Sequence, residues 1–204
     1  MENFSKKIDM EACLRRGLYE EVTLMMAFIE QQNYQLESYT SKFSDMLLTG
    51  GRGVSSHEHS ESVSVSNISN DQYDLEATFK QDLPNYIRKS QVLMLWAMLE
   101  DTFGYIVREL SSHQNMTFRA KKRNESIFLY YVKWLEKIDD RDFITDPTVV
   151  FLNSNVREVR NSLVHGSILT VSHKGLEITE AGLIISANYV WDICMSIDSL
   201  AWQL

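Results

Sequence analysis

QVLMLWAMLEDTFGYIVREL, residues 91–110, carries Val92, Leu93, Leu95, Trp96, Leu99, Phe103, Ile106, Val107 and Leu110. At about 100° per residue these side chains nearly surround a helix axis instead of marking one stripe. A helix that is apolar on most sides must be covered on most sides, so this stretch predicts the centre of a helical bundle. Asp82 can cap the helix, Pro84 suits its first turn, Ile87 extends the apolar set, and the pattern runs to about residue 112.

Upstream, from about residue 9 to 48, Met10, Cys13, Leu14, Leu18, Val22, Met25, Met26 and Ile29 recur at spacings of three and four. That is an amphipathic helix. It continues, bent or broken, through Tyr34, Leu36, Tyr39, Phe43, Met46 and Leu47 until Gly50 and Gly51 end it. The serine-rich GRGVSSHEHSESVSVSNISND reads as a loop or linker, with SVSVSNIS as an alternative short strand.

Downstream, a basic turn, FRAKKRNES, precedes a third helix at about 124–138 bearing Ile127, Phe128, Tyr131, Trp134, Leu135 and Ile138. DDRDFITDP connects it to a fourth, for which Asp146 and Pro147 supply cap and first turn. After Gly166, ILTVS and LEIT flank a turn with Gly175 and predict a β-hairpin at about 167–180. Tyr189, Val190, Ile193, Cys194, Ile197, Leu200 and Ala201 mark a last helix at about 184–203. The expected fold is all-α: an up-down bundle over 73–204, a long helix over 1–49 packed on it, a linker at 50–72, and the hairpin before the last helix.

With 204 residues the chain has material for one substantial core. Only two prolines and a charged fraction of 24% argue against disorder. A net charge of −8 is acidic for a partner of a polyanion, so any nucleic-acid contact must be local. The N-terminal stretch mixes charges with no signal-like apolar core, and VLMLWAML at 91–98 is too short to span a bilayer. A cytoplasmic protein without a membrane segment is expected. Cys13 and Cys194 lie in apolar helical contexts with no metal-like spacing and read as buried free thiols.

The fourth helix holds VREVRNSLVHG, residues 156–166. With Leu152 as origin, Val156, Val159 and Leu163 form a narrow inner seam, while Asn153, Arg157, Arg160, Asn161 and His165 gather on the other side. Glu158 alone brings an opposite charge to that arc, which suits a phosphate. His165 falls in the last turn, where unpaired carbonyls favour a cation. An imidazole there can exchange a proton with phosphodiester oxygens, Arg160 can supply forked donors to the non-bridging oxygens, and Asn161 can orient either. The alternative is a solvated helix end with His165 as a dipole partner. On an ideal helix Arg160 and His165 also diverge by about 140°.

The stretch REVRNSLVHG resembles the signature of HEPN domains: Arg, a polar residue, three further residues, then His near the end of a bundle helix. The likeness lies in about seven residues around Arg160, Asn161 and His165, and loosely in the helical order over about 82–203. It implies an all-α bundle and a metal-independent endoribonuclease of toxin–antitoxin, abortive-infection or antiphage type, needing no cofactor. It implies Arg160, Asn161 and His165 as catalytic residues and Glu100 as an auxiliary acid; Arg157, from its place on the same helix face, is a further auxiliary candidate. A homodimer is implied, in which two copies of the motif face one cleft, and so is a restraining partner such as an antitoxin. It implies RNA as the substrate, because the nucleophile it implies is the 2′-hydroxyl. A catalytically silent HEPN-like binding or assembly subunit is the competing expectation.

Other patterns carry less. Lys121, Lys122 and Arg123 can guide an RNA backbone or simply be solvated. His57, Glu58 and His59 lack a third ligand, and Asp139, Asp140 and Asp142 read as a hydrated acidic turn, so no metal site is expected. Trp134, Trp191 and Trp202 sit at helical spacing and read as core before base-stacking platforms.

Overall fold

The Asp74 carboxylate accepts the backbone N–H of Ala77 at 2.9 Å and starts the helical run that leads into the centre of the molecule. The computed structural model describes residues 2–50, 64, 65, 68, 69, 73–117, 119–123, 125–180 and 182–203, with side chains over 16–41 and, among the described residues, from 73 onward. Within it, α1 spans Glu2–Gly50 and α2 Leu75–Ala77. A π-helical turn, Thr78–Asp82, then runs directly into α3, Leu83–His113. Asp82 is therefore inside a continuous helical path, makes no side-chain cap, and is not the expected start. Asp74 takes that role because its backbone is non-helical while its carboxylate reaches the first turn.

Helix α3 occupies the position its all-round apolar pattern predicts. Val92, Leu95, Trp96, Leu99, Phe103, Ile106, Val107 and Leu110 are buried, and α1, α4 (Ile127–Asp139), α6 (Arg157–His165) and α7 (Ala187–Gln203) all pack on it. Phe128 of α4 meets Trp96 and Phe103 edge-on, at ring separations of 5.7 and 5.5 Å. Against α1 the contact has polar ties as well. The buried Gln91 amide donates to Gln32 at 3.1 Å and Asn33 at 3.4 Å, and the Thr102 hydroxyl donates to Glu21.

From α1, Leu18, Val22, Ile29 and Leu36 enter the core with Met25 and Met26 packed beside them, whereas Tyr34 and Tyr39 are exposed. The side chains of Met10, Cys13, Leu14, Phe43, Met46 and Leu47 lie outside the described residues. Two residues of the serine-rich stretch, Ser64–Val65, form β1 and pair antiparallel with β2, Ile68–Ser69. Ser126 caps α4, accepting from Leu129 at 3.0 Å, and Ile127 is left exposed at the first turn.

The second hairpin differs from expectation. Its strands are β3, Leu176–Thr179, and β4, Gly182–Ile185, so LEIT is the first strand and GLII the second, with Leu176 opposite Ile185. ILTVS forms no strand, because residues 170 and 171 are held by Glu158 instead. Residues 184 and 185 belong to β4, so α7 begins at Ala187. Ile185 is buried, and Asn85 of α3 fastens the strand by donating to the Leu183 carbonyl and accepting from the Ile185 N–H, both at 3.0 Å.

All seven predicted inner residues of α7 are buried, including the free Cys194 thiol, whose pKa burial pushes up to about 12. The tryptophans split. Trp134 is core, but Trp191 and Trp202 are 40% and 72% exposed, with Trp202 edge-on to Tyr19 at 5.1 Å. Helical spacing put them on α7, and the inner seam of that helix is already filled by smaller side chains. Among the described residues, no helix is long and apolar enough to cross a membrane.

Candidate functional site

Asp146 and Pro147 begin the motif helix as their order in the sequence predicts. The Asp146 carboxylate accepts from Thr148 N–H at 2.7 Å, and α5 spans Pro147–Val150. A second π-helical turn, Phe151–Val156, follows before α6. An i→i+5 turn advances less per residue than an α-helix, so a wheel drawn at a constant 100° misplaces its members. Two asparagines are spent on that turn. Asn153 accepts from the Ser126 hydroxyl at 2.9 Å and Asn155 accepts from the Tyr189 hydroxyl at 2.7 Å. Asn153 thus braces α4 and does not join the cationic arc.

The inner seam survives this change. Leu152, Val156 and Val159 are fully buried and Leu163 packs against the core. Gly166 adopts φ 65° and its N–H bonds to the Ser162 carbonyl at 2.9 Å, ending α6 in a left-handed cap. On the outer side, Arg157, Arg160 and Asn161 are half-buried and His165 is exposed. Arg160 Nη1 donates to Asn161 Oδ1 at 3.0 Å, so the amide positions the guanidinium. Among the described residues, Arg157 and His165 have no hydrogen bond or ion pair, and Arg160 has no carboxylate partner.

Glu158 forms no ion pair with Arg157 or Arg160. It accepts from the Thr170 hydroxyl at 2.6 Å, from the Thr170 N–H and from the Val171 N–H at 3.2 Å. The Thr170 and Val171 donors hold its carboxyl below the usual carboxylate range. The acid of the motif helix bonds the chain that follows Gly166, and among the described residues Arg157, Arg160 and His165 form no ion pair with a carboxylate. Such a face can bind an anion, orient it through forked donors, and exchange a proton with it at the helix end.

The basic turn is drawn to the start of this helix by the bond between Ser126 and Asn153. Arg119 is consumed within the turn, pairing Glu125 through two bonds of 2.9 and 2.7 Å. Lys121 donates to the Glu125 carbonyl at 2.9 Å, while Lys122 and Arg123 are exposed. Glu100 lines a groove with Met94, Met98, Asp101 and Tyr131, and none of Arg157, Arg160, Asn161 and His165 lines that groove.

His57, Glu58 and His59 fall outside the described residues. In the acidic turn, Asp139 pairs Arg141 at 2.6 Å, Asp140 takes a left-handed conformation, and Asp142 accepts from the Thr145 hydroxyl at 2.9 Å. No group of three metal-ligating side chains occurs among the described residues.

The sequence reading gave His173 no role. His173 lies between Phe151 and Tyr189, at ring separations of 5.5 and 4.9 Å, and faces a cleft of about 340 Å³ with Thr148, Asp192 and Ser196. Its Nδ1 accepts from Gly175 N–H at 3.3 Å and its Nε2 is 3.7 Å from Asp192 Oδ2. With Nδ1 occupied by a backbone donor and Nε2 turned to a carboxylate, the ring is not poised to deprotonate a hydroxyl. Sequence position gave no signal, since His173 sits in a segment expected to turn a hairpin.

Compared with family models, curated proteins and solved structures, the chain matches none of them.

Proposed function

We propose that the carboxyl end of α6 is the active site of a HEPN-type endoribonuclease acting as a toxin or antiphage effector in the cytoplasm. The supporting observation is the outer face of α6, where Arg157 and Arg160 lack carboxylate partners among the described residues, beside Asn161 and the exposed His165 in a chain of net charge −8. Cations left unpaired in an acidic protein favour a local anion, and a phosphodiester fits donors of this number and spread.

In this reading Arg160, held by Asn161, grips the non-bridging oxygens of one phosphate. His165 removes the proton from the adjacent ribose 2′-hydroxyl. The 2′-oxygen bonds to phosphorus, the bond from phosphorus to the 5′-oxygen breaks, and the proton passes to the departing 5′-oxygen. The products are a cyclic phosphate end and a 5′-hydroxyl end. Residues 121–123 guide the flanking backbone. Two copies related by a two-fold axis bring Arg160 of one to the phosphate attacked beside His165 of the other, which removes the need for both to converge on one helix. A regulatory protein restrains the activity until it is needed.

The test uses purified protein, total RNA and excess chelator. Wild type is expected to release fragments with cyclic phosphate ends, and Arg160→Ala and His165→Ala to lose cleavage by about 100-fold or more. Retained cleavage in either variant removes that residue from the mechanism. RNA bound but uncut by wild type points to a silent binding subunit.

A further inference from the structure

Leu24 and Phe28, one turn apart on α1, are 71% and 49% exposed. Beside them lie two adjoining depressions of about 640 and 330 Å³ that share Met25, Met94 and Met98. The smaller reaches Leu24 and Phe28, and the larger continues over Ala97 to Ile127 and Tyr131. Together they make one groove floored by α3, with α1 on one side and α4 on the other. Among the described residues its charged lining is Glu21, Glu100 and Asp101, with no Lys, Arg or His. Glu21 accepts from Thr102, while Glu100 and Asp101 have no hydrogen bond or ion pair among the described residues.

We propose that this groove docks an amphipathic helix of another protein, apolar on one face and flanked by Lys or Arg. Methionines shape themselves to varied apolar side chains, and a long shallow trough between helices takes anchors at i, i+3, i+4 and i+7. Unpaired carboxylates at the rim select a basic occupant and reject an acidic one. A second copy of this chain is disfavoured by the same charges, because a two-fold contact through the groove lays one acidic lining, Glu21, Glu100 and Asp101, against another. The surface is separate from the outer face of α6, and the proposal stands without the ribonuclease reading.

The probe is a fluorescein-labelled Leu/Lys peptide of about 18 residues, apolar on one helical face, titrated with the full chain and followed by anisotropy. Saturable one-to-one binding is expected. A scrambled peptide of the same composition and a Leu/Glu amphipathic peptide are each expected to bind at least about tenfold more weakly. Leu24→Asp weakens the Leu/Lys complex about tenfold and Asp101→Lys about fivefold, both with unchanged circular dichroism because both side chains are exposed. The proposal is overturned if the Leu/Lys peptide does not bind, if the control peptides bind equally well, or if both variants bind like wild type. It is also overturned by a dimer that Leu24→Asp dissolves, which assigns the groove to a second copy.

Discussion

The Glu158 carboxylate accepts the backbone N–H of Val171 across 3.2 Å, joining the motif helix to the segment beyond its glycine stop. With the Thr170 hydroxyl at 2.6 Å on the same oxygen, this acid bonds the chain after Gly166 and forms no ion pair with Arg157 or Arg160. Glu158→Ala is expected to speed amide exchange at Thr170 and Val171 ahead of other sites and to cost about 1 kcal/mol in denaturant unfolding. Because folding lowers its pKa, its contribution is complete above the usual glutamate range and fades as the pH falls through the lower, folded value. Unchanged exchange at both amides would show that the bond does not hold the segment.

Glu125 is the stronger acid-sensitive point. Its side chain is 5% exposed between Arg119 at 2.7 Å and Lys133 at 2.9 Å, and Arg119 is the chief cause that its pKa falls from 4.5 to about 2. The stabilisation it gives is fully present above about 4.5 and is lost as the pH drops towards about 2. Glu125→Gln is expected to cost about 1–2 kcal/mol at neutral pH and to flatten the acid limb of a stability profile. A mutant profile parallel to wild type from pH 6 to 2 would contradict this.

Two glycines separate steric from conformational demand. A Cβ on Gly175 would meet Ser186 Oγ at 2.5 Å and Tyr189 Cβ at 2.6 Å, where β3 is tied to the start of α7. Gly166 has open space around a Cβ but sits at φ 65°. Gly175→Ala is therefore expected to cost about 2–3 kcal/mol and Gly166→Ala about 1 kcal/mol, read from unfolding midpoints at equal m. The reverse order would mean that the segment around Gly175 shifts readily.

His165→Ala is expected to change stability by less than about 0.5 kcal/mol, since the ring is exposed and has no hydrogen bond among the described residues. Loss of RNA cleavage in this variant would then report chemistry and not unfolding. Thermal melts of the two proteins provide the check, and a fall of several degrees would undo that separation.

Periodicity made the bundle legible because burial is periodic: Val92 through Leu110 required cover on all sides and received it from α1, α4, α6 and α7. The caps at Asp146, Pro147 and Gly166 were legible for the same local reason. Asp82 failed because a π turn carries the helix past it to Asp74, and no spacing rule in the sequence marks where a turn widens. The hairpin failed because Glu158 competes for the backbone of 170 and 171, a contact with no local signature. At the site, the residue types on α6 were legible, but the duties of Asn153 and Glu158 depended on partners far along the chain.

Asn155, in the widened turn before α6, is bonded by one buried hydroxyl. The Tyr189 hydroxyl donates to Asn155 Oδ1 at 2.7 Å, and the Tyr189 ring is fully buried against the core. Tyr189→Phe keeps the ring and strands the amide acceptor, at a cost of about 1–2 kcal/mol. Asn155→Ala strands the hydroxyl and should cost a similar amount. If the two groups act as a pair, the double variant is little worse than the worse single one, giving a coupling energy of about 1 kcal/mol in a denaturation cycle. Strict additivity would mean that the turn is set by Leu152 and Val156 packing alone, with the bond a bystander.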